Sequence, residues 1–533
     1  MAGIEAMRPL AIRIERHALP VAIVLALLAA PILCTLYLAV PASPDQAQFD
    51  YMGWLGTQGL SYYRDAFDHN WPGAMIYHEI AVRLFGVESW SFRLLDFLVL
   101  GAVTAGGALL LRRSGLMLGA ALFLLLYPPI YVTAGFWMAG QRDIVGAGLL
   151  VIAAGLALPA VQDRARGNLD AILAGVLIGG AVLLRPTYLA YGAGLAALVM
   201  LPLVESRFSA RLARAVAILV GIALTLGLAA AWALQAGTLA AWWEQAVLFN
   251  LTSYGNDGPR LRLRRVLWFQ LSRSWHWIGV TGLVGLAIWG WCAWRGRGAM
   301  RFGCLASAGV AAAVLLSFFA QNKGLFYHLG GLLLASMLMI AAGIDRLVAG
   351  AVAQSSTLLR AATLVALLML AGTATAGTIA KLRYLAPAGA AVLSDGRWRA
   401  PALGERNVLE NTTLDEMLER MAEPGAPKGT LLIFGREYEL AFLAERLPAT
   451  RFLSIQAFLA IDADSTLGQR WHDEFRATLR AEPPAFIFIA RSFLDQPEPR
   501  RPLTAHVMGL VASGRYETIV EAREGILARR ADP

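Results

Sequence analysis

The chain has 533 residues, of which 57% are hydrophobic and only 16% charged. Such a composition excludes an ordinary soluble globular protein and points to repeated bilayer crossings. The formal charge of +9 does not imply nucleic acid, because the Lys and Arg fall in short clusters between apolar runs, as they do where a multi-pass protein records its orientation.

In chain order, the basic opening "MAGIEAMRPLAIRIERHALP" leads into an apolar run at about 20–40, too long for a secretory leader and without a small-residue cleavage site. It reads as a retained first helix. Further spans are expected at 91–111, 116–135, 144–160, 169–184, 187–203, 214–235, 275–294, 302–320, 325–343 and 359–379, roughly eleven in all. Alternate connections carry Arg8, Arg13 and Arg16, then Arg112 and Arg113, Arg164 and Arg166, Arg207 to Arg214, Arg295 to Arg301, and Arg346. All lie on one side if the amino terminus is cytoplasmic, which leaves the carboxy terminus external. Cys34, Cys292 and Cys304 lack ligand spacing and read as small core residues.

The first external stretch, "PDQAQFDYMGWLGTQGLSYYRDAFDHNWPG", is dense in acids, aromatics and turn residues. Asp45 follows Pro41 and Pro44 at the mouth of the first span. A carboxylate so placed can serve as a general base if it is partly desolvated. Asp65 and Asp68 stand between Tyr62-Tyr63-Arg64 and Trp71-Pro72-Gly73, before an amphipathic helix "AMIYHEIAVRLFG", whereas Asp50 reads as a solvated loop acid. Two later external turns add charge at the hydrocarbon edge: Arg142-Asp143, either functional or a structural ion pair, and Lys323 with His328 in "QNKGLFYHLGG". Between spans seven and eight, Arg260, Arg262, Arg264, Arg265 and Arg273 sit on the side where positive charge is sparse. They suit an interfacial helix touching lipid phosphates or a site for a phosphorylated lipid.

After Lys381 the composition becomes that of a soluble domain. "TLLIFG" and "AFIFIA" read as strands, "EYELAFLAERL" and "WHDEFRATLRA" as helices, and "YETIVEA" with "GILARR" as a hairpin. The fold class is therefore mainly α, a polytopic membrane protein with a 1–380 transmembrane catalytic domain and a 381–533 external α/β domain, in which no catalytic residue is expected.

The ordered series running from "PDQAQFDYMG" through "YYRDAF", "WPG", "RLFG" and "SFRLL", with the later "GQRD", "KGLFYHLGGLLL" and "REYELAFLAERLPATRF", resembles bacterial GT-C glycosyltransferases. The similarity is to the protein mannosyltransferase-like and lipid A aminoarabinose or galacturonosyl transferase-like proteins of glycosyltransferase family 39. The resemblance implies an inner-membrane enzyme working at the external face, with a polyprenyl-phosphate-linked sugar as donor and an envelope lipid, glycan or protein as acceptor. It implies Asp45 and Asp143 as the catalytic carboxylates. Gln46 stands where many members have Glu, and Asn70 where many have the lysine of a Lys-Pro-Pro run. The second departure moves the expected phosphate contact to Arg64, Arg142, Lys323 or the Arg260–Arg265 cluster, Arg262 and Arg264 included, and Asp65, Asp68 and His328 are the other expected substrate-binding residues. No cofactor is assigned, and a divalent metal stays open. A transporter of lipid-linked saccharides is the rival reading, but it needs charge or broken helices near mid-bilayer, and the ionisable groups here gather at external mouths. A membrane scaffold would leave the first loop unexplained.

Overall fold

The computed structural model describes residues 2–158, 167–204, 207–254, 279–353, scattered positions between 379 and 390, 409–453, 455–494 and 502–531. The chain divides into two compact units.

The first unit comprises residues 1–38, 96–229 and 259–390 and is helical in its described parts. It draws on α1 (Ala2–Leu38), α4 (Ser91–Arg113), α5 (Met117–Val132), α6 (Arg142–Ala157), α7 (Gly167–Leu184), α8 (Leu189–Met200) and α9 (Phe208–Gln235), followed by the helices Gly279–Arg295, Gly298–Gln321 and Gly330–Ala353. Among the described residues six helices are long and apolar enough to cross a membrane. Met117–Val132 and Pro186–Met200 are shorter apolar helices. Every expected span up to 325–343 falls on one of these helices, and that at 359–379 lies almost wholly outside the described residues. Leu27 and Leu28 of α1 and Leu228 of α9 are well over half exposed, an apolar exterior that suits lipid and not water. Inside, α6 packs along α7 and α1 along α5. Gly146 lets α6 approach the turn that follows α7, since a Cβ there would stand 2.6 Å from the Tyr188 ring.

The second unit joins residues 39–95 and 230–258 to 391–533. The carboxy-terminal segment thus shares a compact unit with the first loop, although the sequence presents it as a domain of its own. It holds α2 (Pro44–Thr57), α3 (Gly73–Phe85) and a mixed sheet of β1 (Leu431–Phe434), β2 (Phe486–Ala490), β3 (Tyr516–Glu521) and β4 (Gly525–Arg530). The strand order is β1-β2-β4-β3, with β1 parallel to β2 and the other pairs antiparallel. β1 and β2 are buried along their whole length, which explains their unbroken apolar runs. The helix Thr466–Ala481, capped by Ser465 Oγ accepting from Gly468 N, turns Trp471, Phe475 and Leu479 inward at four-residue spacing. Phe67 of the first loop enters the same core, its ring 4.9 Å from that of Trp471 and 5.9 Å from that of Phe249.

Candidate active site

In the second unit, the start of α2 is built around Asp45. Ser43 and Gln46 form a capping box: Gln46 N donates to Ser43 Oγ at 3.3 Å, and Ser43 N donates to Gln46 Oε1 at 3.0 Å. Arg93, almost fully buried, donates to Val40 O at 3.0 Å, to Pro41 O, and to Gln46 Oε1 at 2.7 Å. The chain is therefore held on both sides as it enters the helix. Gln46 is part of this brace. Asp45 follows in the first helical turn, where the helix dipole favours negative charge. Its Oδ1 accepts from Arg436 Nη2 at 2.6 Å.

One turn along α2, Asp50 is buried, with Oδ1 2.7 Å from His78 Nδ1; it is not the solvated acid that its loop-like sequence suggested. The His78 ring stacks on Phe92 with 3.8 Å between centroids. Burial and the Asp50 charge raise the Glu439 carboxyl to about 7, and burial, helped by the Glu524 charge, pushes Glu437 to about 7 against the opposing backbone hydrogen bonds and the Arg436 charge.

The stretch 58–72 is pinned along its length. Arg64 pairs with Asp65 at 2.9 Å on the surface, and the arginine hydrogen bond holds the Asp65 carboxyl below its ordinary range. Asp68 is fully buried and accepts from Gln48 Nε2 at 2.5 Å and from Asn70 N at 2.6 Å. Gln245 bridges the turn, accepting from Asp68 N at 3.2 Å and donating to Tyr63 O at 2.7 Å. These bonds hold Tyr63 at a left-handed φ of 70°, uncommon for a bulky residue. Asp68 braces the loop from inside, and Arg64–Asp65 lies on its outside.

In the first unit, Asp143 opens α6 and is wholly buried. Its Oδ2 accepts from Arg185 Nη2 at 2.6 Å, and its backbone carbonyl accepts from Tyr188 Oη at 2.7 Å. Asp143 Oδ1 finds no hydrogen-bond partner among the described residues. Arg142 and the buried His328 stand within electrostatic reach of the same carboxylate, and Lys323 is half-buried in the turn leading to His328. The turn before α6 is anchored from α4: Asp96 Oδ2 accepts from Tyr37 Oη at 2.5 Å and Tyr131 Oη at 2.7 Å, and Tyr131 Oη accepts from Gly140 N at 2.8 Å.

The fold has counterparts among solved structures. The chain superposes on ArnT from Cupriavidus metallidurans bound to undecaprenyl phosphate with a TM-score of 0.55 at 15% identity, covering 95% of this chain and 97% of that one. The chain has the GT-C fold. The apo state of the same ArnT gives 0.55 at 14% identity, and the apo oligosaccharyltransferase of Archaeoglobus fulgidus gives 0.51 at 12%, covering 88% of this chain and 69% of that one. No protein-family model and no curated protein matches the sequence.

On the GT-C scaffold, the sequence-derived site residues fall into separate groups. Arg142, Asp143 and His328 come together in the first unit. Their assembly includes Arg185, which makes an ion pair with Asp143 beside the charge of Arg142. In the second unit Asp45 meets Arg436, from the segment in which no site residue was expected. Arg262 and Arg264 lie outside the described residues. Among the described residues no group of three His, Cys, Asp or Glu is arranged to hold a metal ion, and Asp45 and Asp143 are each engaged by arginine. Arg436 carried one sequence signal: it stands just beyond a short apolar strand, where α/β sheets present ligand-binding side chains.

Proposed function

We propose that this protein is a membrane glycosyltransferase that moves a sugar from a polyprenyl-phosphate donor to an envelope lipid, glycan or protein. The observation that carries the reading is the match, over nearly the full length of both chains, to an ArnT structure that holds undecaprenyl phosphate. The charge pattern supports an inner-membrane orientation with a cytoplasmic amino terminus, and with Asp45 and the carboxy-terminal segment outside.

In the proposed reaction the acceptor hydroxyl oxygen attacks the anomeric carbon. The bond from that carbon to the phosphate oxygen breaks, its electron pair leaves on the phosphate, and the configuration inverts. Asp45, half-buried at the start of α2, takes the hydroxyl proton. Cationic side chains stabilise the charge that grows on the departing phosphate; Arg142, Lys323 and His328 are assigned to substrate in this way, with Arg64, Arg262 and Arg264 as further candidates. Asp143 is the second carboxylate that the resemblance implies. Its ion pair with Arg185 and the bond from Tyr188 support a role in orienting that guanidinium. Asp65 and Asp68 shape the loop above the acceptor, and residues 381–533 form the external part that frames its entrance.

The test is sugar transfer by purified protein from undecaprenyl-phosphate-linked sugars to envelope extracts, followed by mass spectrometry. Asp45→Asn preserves size and removes the base, and transfer is expected to fall by about 10²–10⁴-fold. Near-normal turnover by Asp45→Asn would refute the mechanism, and an absence of transfer by the parent with every donor would refute the function.

A further inference from the structure

The contact between Arg436 and Asp45 poses a problem for a base. A carboxylate whose oxygen is occupied by a guanidinium at 2.6 Å has that oxygen committed to a cation, and it must be released before it can take a proton. If Asp45 became neutral with Arg436 unmoved, that ion pair would be lost. The reaction itself supplies another anion. As the proton arrives at Asp45, one negative charge is lost there and one is gained by the departing phosphate. A guanidinium that can reach both anions remains paired throughout.

Arg436 is constructed for such an exchange. It leaves the carboxyl end of β1, and its backbone is held tightly: Arg436 N donates to Glu437 Oε2 at 2.6 Å, and Tyr438 Oη donates to Gly435 O at 3.2 Å. Gly435 admits this turn, because a Cβ there would meet Glu437 Oε2 at 2.1 Å and the Ala490 side chain at 2.9 Å. The side chain beyond that fixed backbone is open to solvent, about 30% exposed against 17% for Asp45. Root and reach are thus separated: the Cα is positioned by the sheet, and the planar fork remains accessible to an incoming anion.

We propose that Arg436 binds the phosphate of the lipid donor, exchanging Asp45 for phosphate oxygens and thereby releasing the base when donor is present. The assignment rests on the glycosyltransferase reading above and adds to it a phosphate-binding residue from the carboxy-terminal segment. Paired with Asp45 in the ligand-free protein and with phosphate in the donor complex, Arg436 couples donor binding to activation of Asp45.

The experiment is titration of the purified full chain in detergent with undecaprenyl phosphate and, separately, with undecaprenol, read by tryptophan fluorescence. Arg436→Ala should weaken undecaprenyl phosphate about 10- to 100-fold, the loss of one charge-assisted contact, and leave undecaprenol unchanged. Arg436→Lys, which keeps the charge but not the fork, should fall between the two. Asp45→Asn should tighten undecaprenyl phosphate, because the competing anion is gone. Unchanged phosphate affinity in Arg436→Ala, or weaker affinity in Asp45→Asn, would overturn the assignment while leaving the glycosyltransferase reading intact. A parent that binds undecaprenyl phosphate no better than undecaprenol would overturn both.

Discussion

Replacing Arg185 with Met tests whether the pair with Asp143 holds the first unit together. Asp143 is fully buried and Arg185 is about 10% exposed on its side chain, with 2.6 Å between the charged atoms. One carboxylate oxygen already lacks a hydrogen-bond partner among the described residues, so Arg185 supplies the principal compensation for the charge. Removing one partner of a buried pair leaves the other charge stranded, at a cost of about 3–5 kcal/mol. Losing only the hydroxyl that bonds the Asp143 carbonyl, in Tyr188→Phe, should cost about 1 kcal/mol. The double variant Asp143→Asn/Arg185→Met carries no stranded charge and should recover much of the loss. The measurement is a double-mutant cycle in equilibrium unfolding with mixed dodecyl maltoside and dodecyl sulfate micelles. A coupling energy of about 2 kcal/mol or more is expected. Arg185→Met unfolding with the parent, or single effects that simply add, would refute the argument.

Three further outcomes are expected. Reporter fusions placed after residue 385 should behave as external; cytoplasmic reporter activity would reverse the side assigned to Asp45. Glu437 is almost wholly buried and its carboxyl is raised from an ordinary 4.5 to about 7. Its folded value lies above the unfolded one, so its contribution is fully present below pH 4.5 and lost as pH rises through about 7, at most about 3 kcal/mol. Glu437→Gln, which keeps the acceptor for Arg436 N, should flatten that pH dependence of melting, and an unchanged slope would exclude the group as its source. Gly146→Ala should destabilise by about 1–3 kcal/mol, because the new Cβ meets the Tyr188 ring at 2.6 Å; Gly194→Ala, with nothing within 4 Å, should be neutral or stabilising.

Much of the fold was legible because hydropathy is a local property. An apolar run of bilayer length must be helical in lipid whatever surrounds it. The expected spans up to 325–343 accordingly coincide with helices. The same logic located β1, β2 and the hairpin of β3 with β4, where runs of four to six residues are bounded by turn residues. Asp45 and Asp143 were recognisable as unusual because each stands in the sequence at the edge of an apolar run of bilayer length, where charge is expensive.

Which cation meets which carboxylate was not legible. Arg436 lies 391 residues from Asp45, and Arg185 lies 42 from Asp143. With 46 Lys and Arg in the chain, pattern alone gives no reason to prefer these two. The burial of Asp50 and Asp68 also escaped, since the side chains that hold them, His78 and Gln48, come from other elements. Pairing depends on distances of a few ångströms between separately folded segments. Sequence determines which stretches are apolar and which are charged; tertiary structure alone decides which charges face one another.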